Sequence, residues 1–539
     1  MRSPKRFAPT LAILLALAAC GESDTAKSES PAAAAPVMSD VAPAPSAARP
    51  PNVILIVADD LGINDLSLNT ELRAGDRPAP VATPNINRIA LEGVRFDQAY
   101  SGHATCAPSR ASLMTGRMPQ RYGFEFNPGS AAFAKTLSGT VYDGIPGLYF
   151  PERAEGQDPP QAVGVPPEEV TLAELLKSSG YRTAMFGKWH LGMAPDMQPG
   201  AQGFDEWVGF LGGASLYALP EDPDIVNAKL PIDENLWQIF RYDALRNGEP
   251  MDSRQYQTDL WADEAVSFIR RNAGAPFFAY VAFNAPHNPL QAPRAIYDEL
   301  SWIQDHEERV YAAMVVSLDR AIGRILDALE EEGLTEDTLV IFTSDHGGAE
   351  YTRLYTHNLP FRGFKGSFWE GGIRVPLFVR WPAGFEAGLV VKTPVRHLDL
   401  FPALGALADA VAEPAAPLDG TDIFSPLAGG TKPSAAVPMI WRAGDVFAIF
   451  DGRYKLMTAN RPERVWLYDL QEDPTEKVNI AADEPQTVAR LTEALATFDE
   501  DVGPPENMTL FEIPSRADPP PPDPSTEDLD ELDFVYWPS

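Results

Sequence analysis

Four apolar runs, each followed by ionisable side chains, restrict this chain to one broad class of fold. They are rich in β-branched and aromatic residues and nearly continuous in apolar character, which is typical of strands buried on both faces of a parallel or mixed sheet. They cover residues 53–57, 182–186, 277–283 and 338–343. Helical segments separate them, so we predict an α/β fold with a large mixed sheet flanked by helices.

Polar residues follow each of the four predicted strands. In open α/β sheets the ligand site lies beyond the carboxyl ends of the strands, so we expect these side chains to converge although they are far apart in sequence. They are Asp59 and Asp60, Lys188 and His190, His287, and Asp345 and His346.

The adjacent aspartates after the first strand predict a cation. Two carboxylates held close together in a buried place repel each other unless a positive charge neutralises them. Oxygen ligands favour a hard ion, and Asp345 would join Asp59 and Asp60 around it. Capping of a turn is the alternative explanation for an Asp-Asp pair taken alone.

Helical periodicity and turn signals organise the rest of the chain. Residues 83–92 and 307–332 have apolar residues at helical spacing and are predicted to pack on the sheet. After about residue 410 the pattern changes to short strands, with a hairpin at Asp451-Gly452 and a closing helix over 485–498. The acidic, proline-rich end predicts a wrapped or disordered tail.

The N-terminus predicts export. Basic residues precede a short apolar run and the segment Leu17-Ala18-Ala19-Cys20-Gly21, which resembles a bacterial lipobox. We therefore expect lipidation of Cys20, contact with a membrane only through that anchor, and a place in the periplasm, in the outer membrane or on the cell surface. A signal peptide cut elsewhere is the alternative.

The formal charge of −33 argues against nucleic acid as a partner. A strongly acidic surface keeps an exported protein soluble, and it also repels a polyanionic substrate unless salt screens the field or the cleft is locally basic. Charge alone leaves both explanations open.

One of the two cysteines, Cys106, lies in a specific motif. An isolated cysteine is usually a small buried apolar residue. Here the run Cys106-Ala107-Pro108-Ser109-Arg110, followed by Thr115-Gly116-Arg117, resembles the signature of the type I sulfatases of the alkaline phosphatase superfamily. In that family the cysteine is oxidised to formylglycine by a maturation enzyme.

Further motifs extend the resemblance over most of the chain. Gly-Lys-Trp-His-Leu-Gly over 187–192, Pro-His-Asn-Pro-Leu over 286–290 and the stretch 362–372 with Lys365 are similar to family motifs, the last two most like arylsulfatase B and N-acetylgalactosamine sulfatases. Residues 467–470 are similar to the family's C-terminal subdomain. The domains predicted in this way are a lipoprotein signal peptide (1–20), an Ala/Pro/Ser-rich linker (21–50), a sulfatase catalytic domain (51–410), a C-terminal α+β subdomain with an antiparallel sheet and a helix (411–505), and an acidic tail (506–539).

The resemblance also implies site roles. The implied catalytic residues are Cys106, Arg110, Lys188, His190, His287 and Lys365, and the implied metal ligands are Asp59, Asp60, Cys106, Asp345 and His346. The family usually has asparagine where this chain has His346, so His346 either coordinates through nitrogen or contacts the substrate or a neighbouring ligand. The implied ion is Ca²⁺, with Mg²⁺ second.

The activity implied is that of an arylsulfatase-type sulfuric ester hydrolase. The expected substrate is a sulfated carbohydrate or an aryl sulfate, attacked by a formylglycine hydrate to give a covalent sulfo-enzyme. The loops 211–220 and 351–358 are candidates to select the sugar. A formylglycine-dependent phosphonate or phosphodiester hydrolase is one alternative, and a non-enzymatic surface-binding lipoprotein is another.

Overall fold

The four predicted strands lie side by side at the centre of a ten-stranded mixed sheet. The structure, a computed structural model, describes residues 49–539 except 69–80, 130, 139–140, 143, 231–232, 234–235, 238, 411–415, 436, 522–526, 528, 530 and 539. The predicted signal peptide, Cys20 and nearly all of the linker lie outside the described residues. The large sheet confirms the predicted fold class.

The strands of this sheet are short at its edges and longest at its centre. In chain order they are β1 (Asn52–Ala58), β2 (Val94–Phe96), β3 (Arg182–Lys188), β4 (Glu206–Phe210), β5 (Leu245–Arg246), β6 (Glu249–Pro250), β7 (Phe277–Ala282), β8 (Thr338–Ser344), β9 (Leu377–Arg380) and β10 (Leu389–Val391). Their order across the sheet is β6-β5-β4-β3-β7-β1-β8-β9-β2-β10.

The central strands β4, β3, β7, β1 and β8 are all parallel. Strand β1 pairs on both edges, with Val53 opposite Phe278 on one side and opposite Leu339 on the other. The carboxyl ends of these strands therefore meet at one edge of the sheet, as the sequence predicted.

Both faces of the sheet are covered, which explains the continuous apolar runs. Ile54 and Ile56 point into one buried apolar cluster, while Val53, Leu55 and Val57 point into the other. The helices are α1 (Pro84–Leu91), α2 (Cys106–Thr115), α3 (Ala131–Ser138), α4 (Leu172–Ser178), α5 (Gln257–Asn272), α6 (Arg294–Glu299), α7 (His306–Glu331), α8 (Glu370–Ile373), α9 (Leu400–Leu407), α10 (Phe424–Ala428) and α11 (Pro485–Val502).

Helices α1 and α7 confirm the two helical segments predicted from periodicity. Asp319 of α7 accepts hydrogen bonds from the backbone amides of Asn85 and Ile86 at the start of α1, so it satisfies two of that helix's unpaired donors. The hydroxyl of Tyr311 donates to Asp65 at 2.7 Å. Among the described residues, no helix combines the length and apolar character needed to cross a membrane.

A separate antiparallel sheet of four strands follows the large one. Its strands are β11 (Met439–Ala443), β12 (Val446–Phe450), β13 (Tyr454–Asn460) and β14 (Glu463–Asp469), paired in sequence order. The predicted hairpin at Asp451-Gly452 joins β12 to β13, and the closing helix runs to Val502, four residues further than predicted. The predicted domain boundaries themselves stay predictions.

The C-terminal segment contains strands that the sequence analysis missed. Strands β15 (Phe511–Arg516) and β16 (Phe534–Pro538) pair antiparallel, and β15 also pairs with the short strand Leu148–Tyr149. Phe511, Val535 and Trp537 are buried. The surrounding prolines and acidic residues predict a wrapped or disordered tail. The structure instead shows an ordered strand pair, which is stabilised because these apolar side chains are buried on folding.

Candidate active site and metal centre

Asp59 and Asp60 directly follow β1 and lie at the carboxyl edge of the large sheet. Both are buried, and Asp60 adopts a left-handed backbone conformation with φ of 63°. A non-glycine residue in this region is strained, and such strain is held in place where function needs a particular side-chain direction. The left-handed conformation of Asp60 directs the side chains of Asp59 and Asp60 toward the same buried space.

Asp59 is surrounded by residues from two other elements. The ammonium of Lys188 donates to its Oδ2 at 2.7 Å, and Oδ1 lies 3.6 Å from Sγ of Cys106 and 3.7 Å from Nη2 of Arg110. Burial and the neighbouring Asp345 raise the pKa of Asp59, while Lys188 lowers it. These cations offset part of the carboxylate's negative charge.

Lys188 reaches this place because the strand before it can approach its neighbours closely. Gly187 has φ of 107°, and a Cβ atom there would lie 2.0 Å from the carbonyl oxygen of Ala282. Only glycine is compatible with that contact. His190, two residues after Lys188, also has a positive φ, of 59°.

Asp60 contacts a second set of partners. Lys365 donates to its Oδ1 at 2.8 Å, the hydroxyl of Tyr351 donates to its Oδ2 at 2.7 Å, and Nε2 of His287 lies 3.8 Å from Oδ2. Burial alone would lower the pKa of Lys365, but Asp60 raises it well above its usual value. Lys365 is therefore a cation at neutral pH.

Cys106 is the first residue of α2 and is buried beside the aspartates. Its Sγ lies 3.2 Å from Nε2 of His346. Burial raises the pKa of the thiol, but Lys188, Lys365 and His346 together lower it well below its usual value. The positive charges gathered around position 106 thus favour an anionic atom at this place.

His346 is oriented so that one ring nitrogen faces the carboxylates. Its Nδ1 lies 2.9 Å from the carbonyl oxygen of Gly347, and a carbonyl accepts a hydrogen bond, so Nδ1 carries the proton. When the ring is neutral, Nε2 presents its lone pair 3.5 Å from Oδ1 of Asp60 and 3.6 Å from Oδ1 of Asp345, where a bound cation would take the place of the second ring proton. This orientation is typical of a metal-ligating histidine.

Four of the predicted ligands are arranged to fit a metal ion. One donor atom each of Asp59, Asp60, Cys106 and His346 can be chosen so that all lie within 4.8 Å of one another. Burial lowers the pKa of His346, but Asp345 and Cys106 raise it to about 9. The surroundings of His346 are therefore negatively charged, and a bound cation would neutralise part of that charge. The donor set therefore fits a cation, with carboxylate oxygens suited to a hard ion and a nitrogen as an unusual addition.

Asp345 and Arg110 form the floor of the site. Nε of Arg110 donates to Oδ2 of Asp345 at 3.0 Å, and Oδ1 of Asp345 accepts from the backbone amide of Asp60 at 3.2 Å. Nη2 of Arg110 is buried without a hydrogen-bond partner among the described residues. An unsatisfied buried donor of this kind suits an acceptor delivered by a bound group.

The remaining two histidines lie at the entrance. Burial lowers the pKa of His190 to about 4, so its imidazole is neutral and able to accept a proton. Burial also lowers the pKa of His287, but Asp60 outweighs it and raises the pKa above the usual value. Nδ1 of His287 lies 2.5 Å from the carbonyl oxygen of Asn288, which directs Nε2 toward Asp60. All the predicted site residues from the described part of the chain are thus brought together.

A cavity of about 300 Å³ opens above Cys106. The predicted site residues on its wall are Cys106, His190, His287 and Lys365. Gly213, Ala214 and Tyr351 come from the two loops that the sequence predicts to select the sugar. The other lining residues come from segments that the sequence analysis did not assign to the site, and they are Asn127, Pro128, Gly129, Phe133, Leu236, Ile239, Phe240, Phe511 and Ile513.

Tyr351 is a polar site residue that the sequence analysis did not identify individually, although it names the loop 351–358 as a candidate to select the sugar. Its hydroxyl accepts a hydrogen bond from Lys365 at 3.0 Å while it donates to Asp60. Nothing in the motifs identified it, because its position depends on how the loop after β8 folds back onto β1.

We expect Tyr351→Phe to lower kcat/KM about tenfold, because it removes a hydroxyl that holds both Asp60 and Lys365 through charge-assisted hydrogen bonds. Steady-state kinetics on one sulfate ester would measure the change. Tyr454→Phe, in the antiparallel sheet, is the matched control. Equal kinetics of Tyr351→Phe and the parent protein would show that the hydroxyl does not position either partner.

Comparisons with known proteins agree with this geometry. A family model described as Sulfatase matches residues 51–410, and one described as N-sulphoglucosamine sulphohydrolase, C-terminal, matches residues 364–501. The chain is 33% identical over 465 residues to steryl-sulfatase of Mus musculus, covering 73% of this chain and 68% of the relative. It is 32% identical over 422 residues to N-acetylgalactosamine-6-sulfatase of Canis lupus familiaris, covering 76% and 72%.

Among solved structures, the crystal structure of Ps i-CgsB in complex with k-i-k-neocarrahexaose matches with a TM-score of 0.70 and 31% identity. The match covers 85% of this chain and 94% of that one.

Proposed function

The chain belongs to the sulfatase family, and on that premise we propose that it cleaves the sulfate ester of a sulfated carbohydrate with a hydrated aldehyde at position 106. Membership makes it a sulfuric ester hydrolase. Neither a phosphonate or phosphodiester hydrolase nor a non-enzymatic lipoprotein is favoured, since the matches to sulfatases span most of the chain.

One observation carries the proposal. Cys106 lies among Asp59, Asp60 and His346 at the base of a cavity, and cations from three separate segments surround it. Lys188 binds Asp59 and Lys365 binds Asp60, so positive charge lies on both sides of the nucleophile's position. A sulfate group entering the cavity would meet this charge directly above residue 106.

We assign the metal to the acidic cluster. Asp59, Asp60, Asp345, His346 and the oxygen of oxidised residue 106 would hold it, with Ca²⁺ preferred to Mg²⁺ because Ca²⁺ tolerates more ligands and irregular geometry. The ion supplies Lewis acidity that neutralises charge on the nucleophile and on the sulfate oxygens. The chain's own residues carry out the proton and group transfers.

The first half-reaction transfers the sulfo group to the enzyme. One hydroxyl of the hydrate would first lose its proton to solvent, since the cations Arg110 and Lys188 favour its alkoxide; the alkoxide oxygen would then form a bond to sulfur as the bond from sulfur to the sugar oxygen breaks. The sugar oxygen takes a proton from His287 or Lys365, both of which line the cavity. Lys188, His287 and Lys365 stabilise the charge that develops on the sulfate oxygens.

The second half-reaction releases sulfate without water attacking sulfur. The remaining hydroxyl would give its proton to His190, and the carbonyl would reform as the bond from its carbon to the sulfated oxygen breaks. Burial holds His190 neutral, as a base must be before the step. Arg110 lies beside Asp345 and Asp59, where it offsets their charge, and water then restores the hydrate.

A sugar substrate is supported by two of the proteins to which the chain is similar. One relative is an N-acetylgalactosamine-6-sulfatase, and one solved structure holds a neocarrahexaose. Steryl-sulfatase is equally similar, so aryl and steryl sulfates belong in the assay. Export as a lipoprotein anchored through Cys20 and oxidation of Cys106 by a maturation enzyme complete the proposal.

The proposed aldehyde is tested by the mass of the peptide that contains Cys106. Conversion of the thiol to the aldehyde lowers the mass by about 18 Da. We expect this loss in active protein purified from a host that has the maturation enzyme. An unmodified thiol in fully active protein would contradict the proposal.

The proposed reaction is tested by sulfate release. We expect release from monosulfated sugars at kcat/KM at least about tenfold above phosphonate and phosphate diesters of the same alcohol, because a sulfate ester presents three unsubstituted oxygens to the cations of the site and those esters present only two. Ion chromatography measures sulfate directly. Faster turnover of the phosphonate esters than of the sulfate esters would contradict the proposal and support a phosphonate or phosphodiester hydrolase.

A further inference from the structure

The outer wall of the catalytic cavity is apolar. Six large side chains form it, and they are Phe133, Leu236, Ile239, Phe240, Phe511 and Ile513. Ile239 is 41% exposed and is continuous with the other apolar side chains of the wall, and a contiguous apolar patch of this kind marks a ligand-binding groove. The wall begins where the ring of polar site residues ends.

Positive charge in the cavity is confined to its base. Among the described lining residues, Lys365, His190 and His287 are the only side chains able to carry a positive charge. His190 and His287 line the base of the cavity beside Cys106, and Lys365 donates a hydrogen bond to Asp60 at 2.8 Å. These groups serve the sulfate that reacts, so none is left on the described wall for a second anionic group.

Part of the wall comes from the C-terminal strand pair. Phe511 and Ile513 lie on β15, and Phe511 packs edge-to-face on Phe133 with ring centroids 6.2 Å apart. The same strand contacts the loop that carries Lys365, since the hydroxyl of Ser515 donates to the Lys365 carbonyl at 3.3 Å. Both family matches end at or before residue 501, so Phe511 and Ile513 lie outside the matched ranges, whereas the other four wall residues lie within the first match.

We infer that this site takes substrates with a single sulfate whose remaining surface is uncharged and partly apolar. A second sulfate or a carboxylate placed against the wall would lose its hydration without gaining a counter-ion, which is costly. The formal charge of −33 adds long-range repulsion of polyanions. The C–H face of a neutral sugar ring, in contrast, packs favourably on aromatic side chains.

This inference rests on the proposed function and is tested by comparing matched sugars. The substrates are the 2-, 3-, 4- and 6-monosulfates of methyl galactoside and methyl glucoside, with each disulfate that contains the preferred position. We expect kcat/KM for the best monosulfate to exceed that of its disulfates by at least about tenfold. Equal or faster turnover of a disulfate would overturn the inference while leaving the proposed function intact.

A charge placed in the wall provides the second test. We expect Ile239→Lys to reduce the preference for the monosulfate about fivefold or more, because the new ammonium supplies the missing counter-ion. Val465→Lys is the matched control, since Val465 is 42% exposed on β14 and does not line the cavity. An unchanged preference in Ile239→Lys, or the same change in Val465→Lys, would contradict the role of the wall.

Binding separates this inference from the chemistry. The Cys106→Ala protein keeps the cavity wall, so calorimetry with the same sugars reports recognition without turnover. We expect the monosulfate to bind at least about fivefold more tightly than its disulfates. Absence of turnover of every ester by the parent protein would reject the proposed function, whereas a binding preference for disulfates would reject only the inference.

Discussion

Cys106→Ser is expected to abolish steady-state turnover, by a factor of about 10³ or more, while the protein stays folded. A serine hydroxyl is able to attack sulfur once, but it lacks the second hydroxyl whose deprotonation expels sulfate. The substitution exchanges sulfur for oxygen in a buried place that is already polar, next to His346 and Asp59. We therefore expect the melting temperature to stay within about 3 °C of that of the parent protein.

Pre-steady-state kinetics distinguish this explanation from a general loss of activity. We expect Cys106→Ser to release at most one equivalent of alcohol and to become about 80 Da heavier, as a sulfated serine requires. Cys106→Ala, which has no nucleophile, is expected to release none. Turnover of Cys106→Ser close to that of the parent, or its unfolding, would contradict the role assigned to residue 106.

Lys365→Ala is expected to lower kcat by about 10²- to 10³-fold with its metal retained. The ammonium lines the cavity beside Cys106 and hydrogen-bonds with Asp60 and Tyr351. Its removal takes away a positive charge from the developing sulfate oxygens. It also leaves Asp60 more negative, which favours retention of a cation. Kinetics and elemental analysis of the same sample measure both effects.

The leaving group decides which role of Lys365 is the larger. 4-Nitrophenol is a good leaving group that needs no proton. If Lys365 donates the proton, Lys365→Ala therefore lowers kcat much less on 4-nitrophenyl sulfate than on a sugar sulfate. If Lys365 acts through its charge alone, the substitution lowers kcat by the same factor on both substrates. Lys392→Ala, at an exposed position outside the cavity, is the control. Loss of the metal in Lys365→Ala would show that the lysine supports the ligands instead of the substrate.

The sequence by itself determined the centre of the sheet and the place of the chemistry. Continuous apolar runs form strands buried on both faces, so the pattern of apolar residues along the chain predicts β1, β3, β7 and β8. Their carboxyl ends meet at one edge in any parallel arrangement, which is why the sequence predicts that Asp59, Lys188 and Asp345 lie together. The motif around Cys106 then identified the family that the comparisons confirm.

Only the tertiary structure decided what surrounds this centre. Tyr351 becomes part of the site because a loop after β8 folds over Asp60, and no local pattern encodes that contact. The tail was expected to wrap around the surface or be disordered, yet β15 and β16 pair with each other and carry Phe511 and Ile513 into the cavity. Strand propensity and periodicity are local properties, whereas the contacts of Tyr351 with Asp60 and of Phe511 with Phe133 join residues more than 100 positions apart and form only when the whole chain packs.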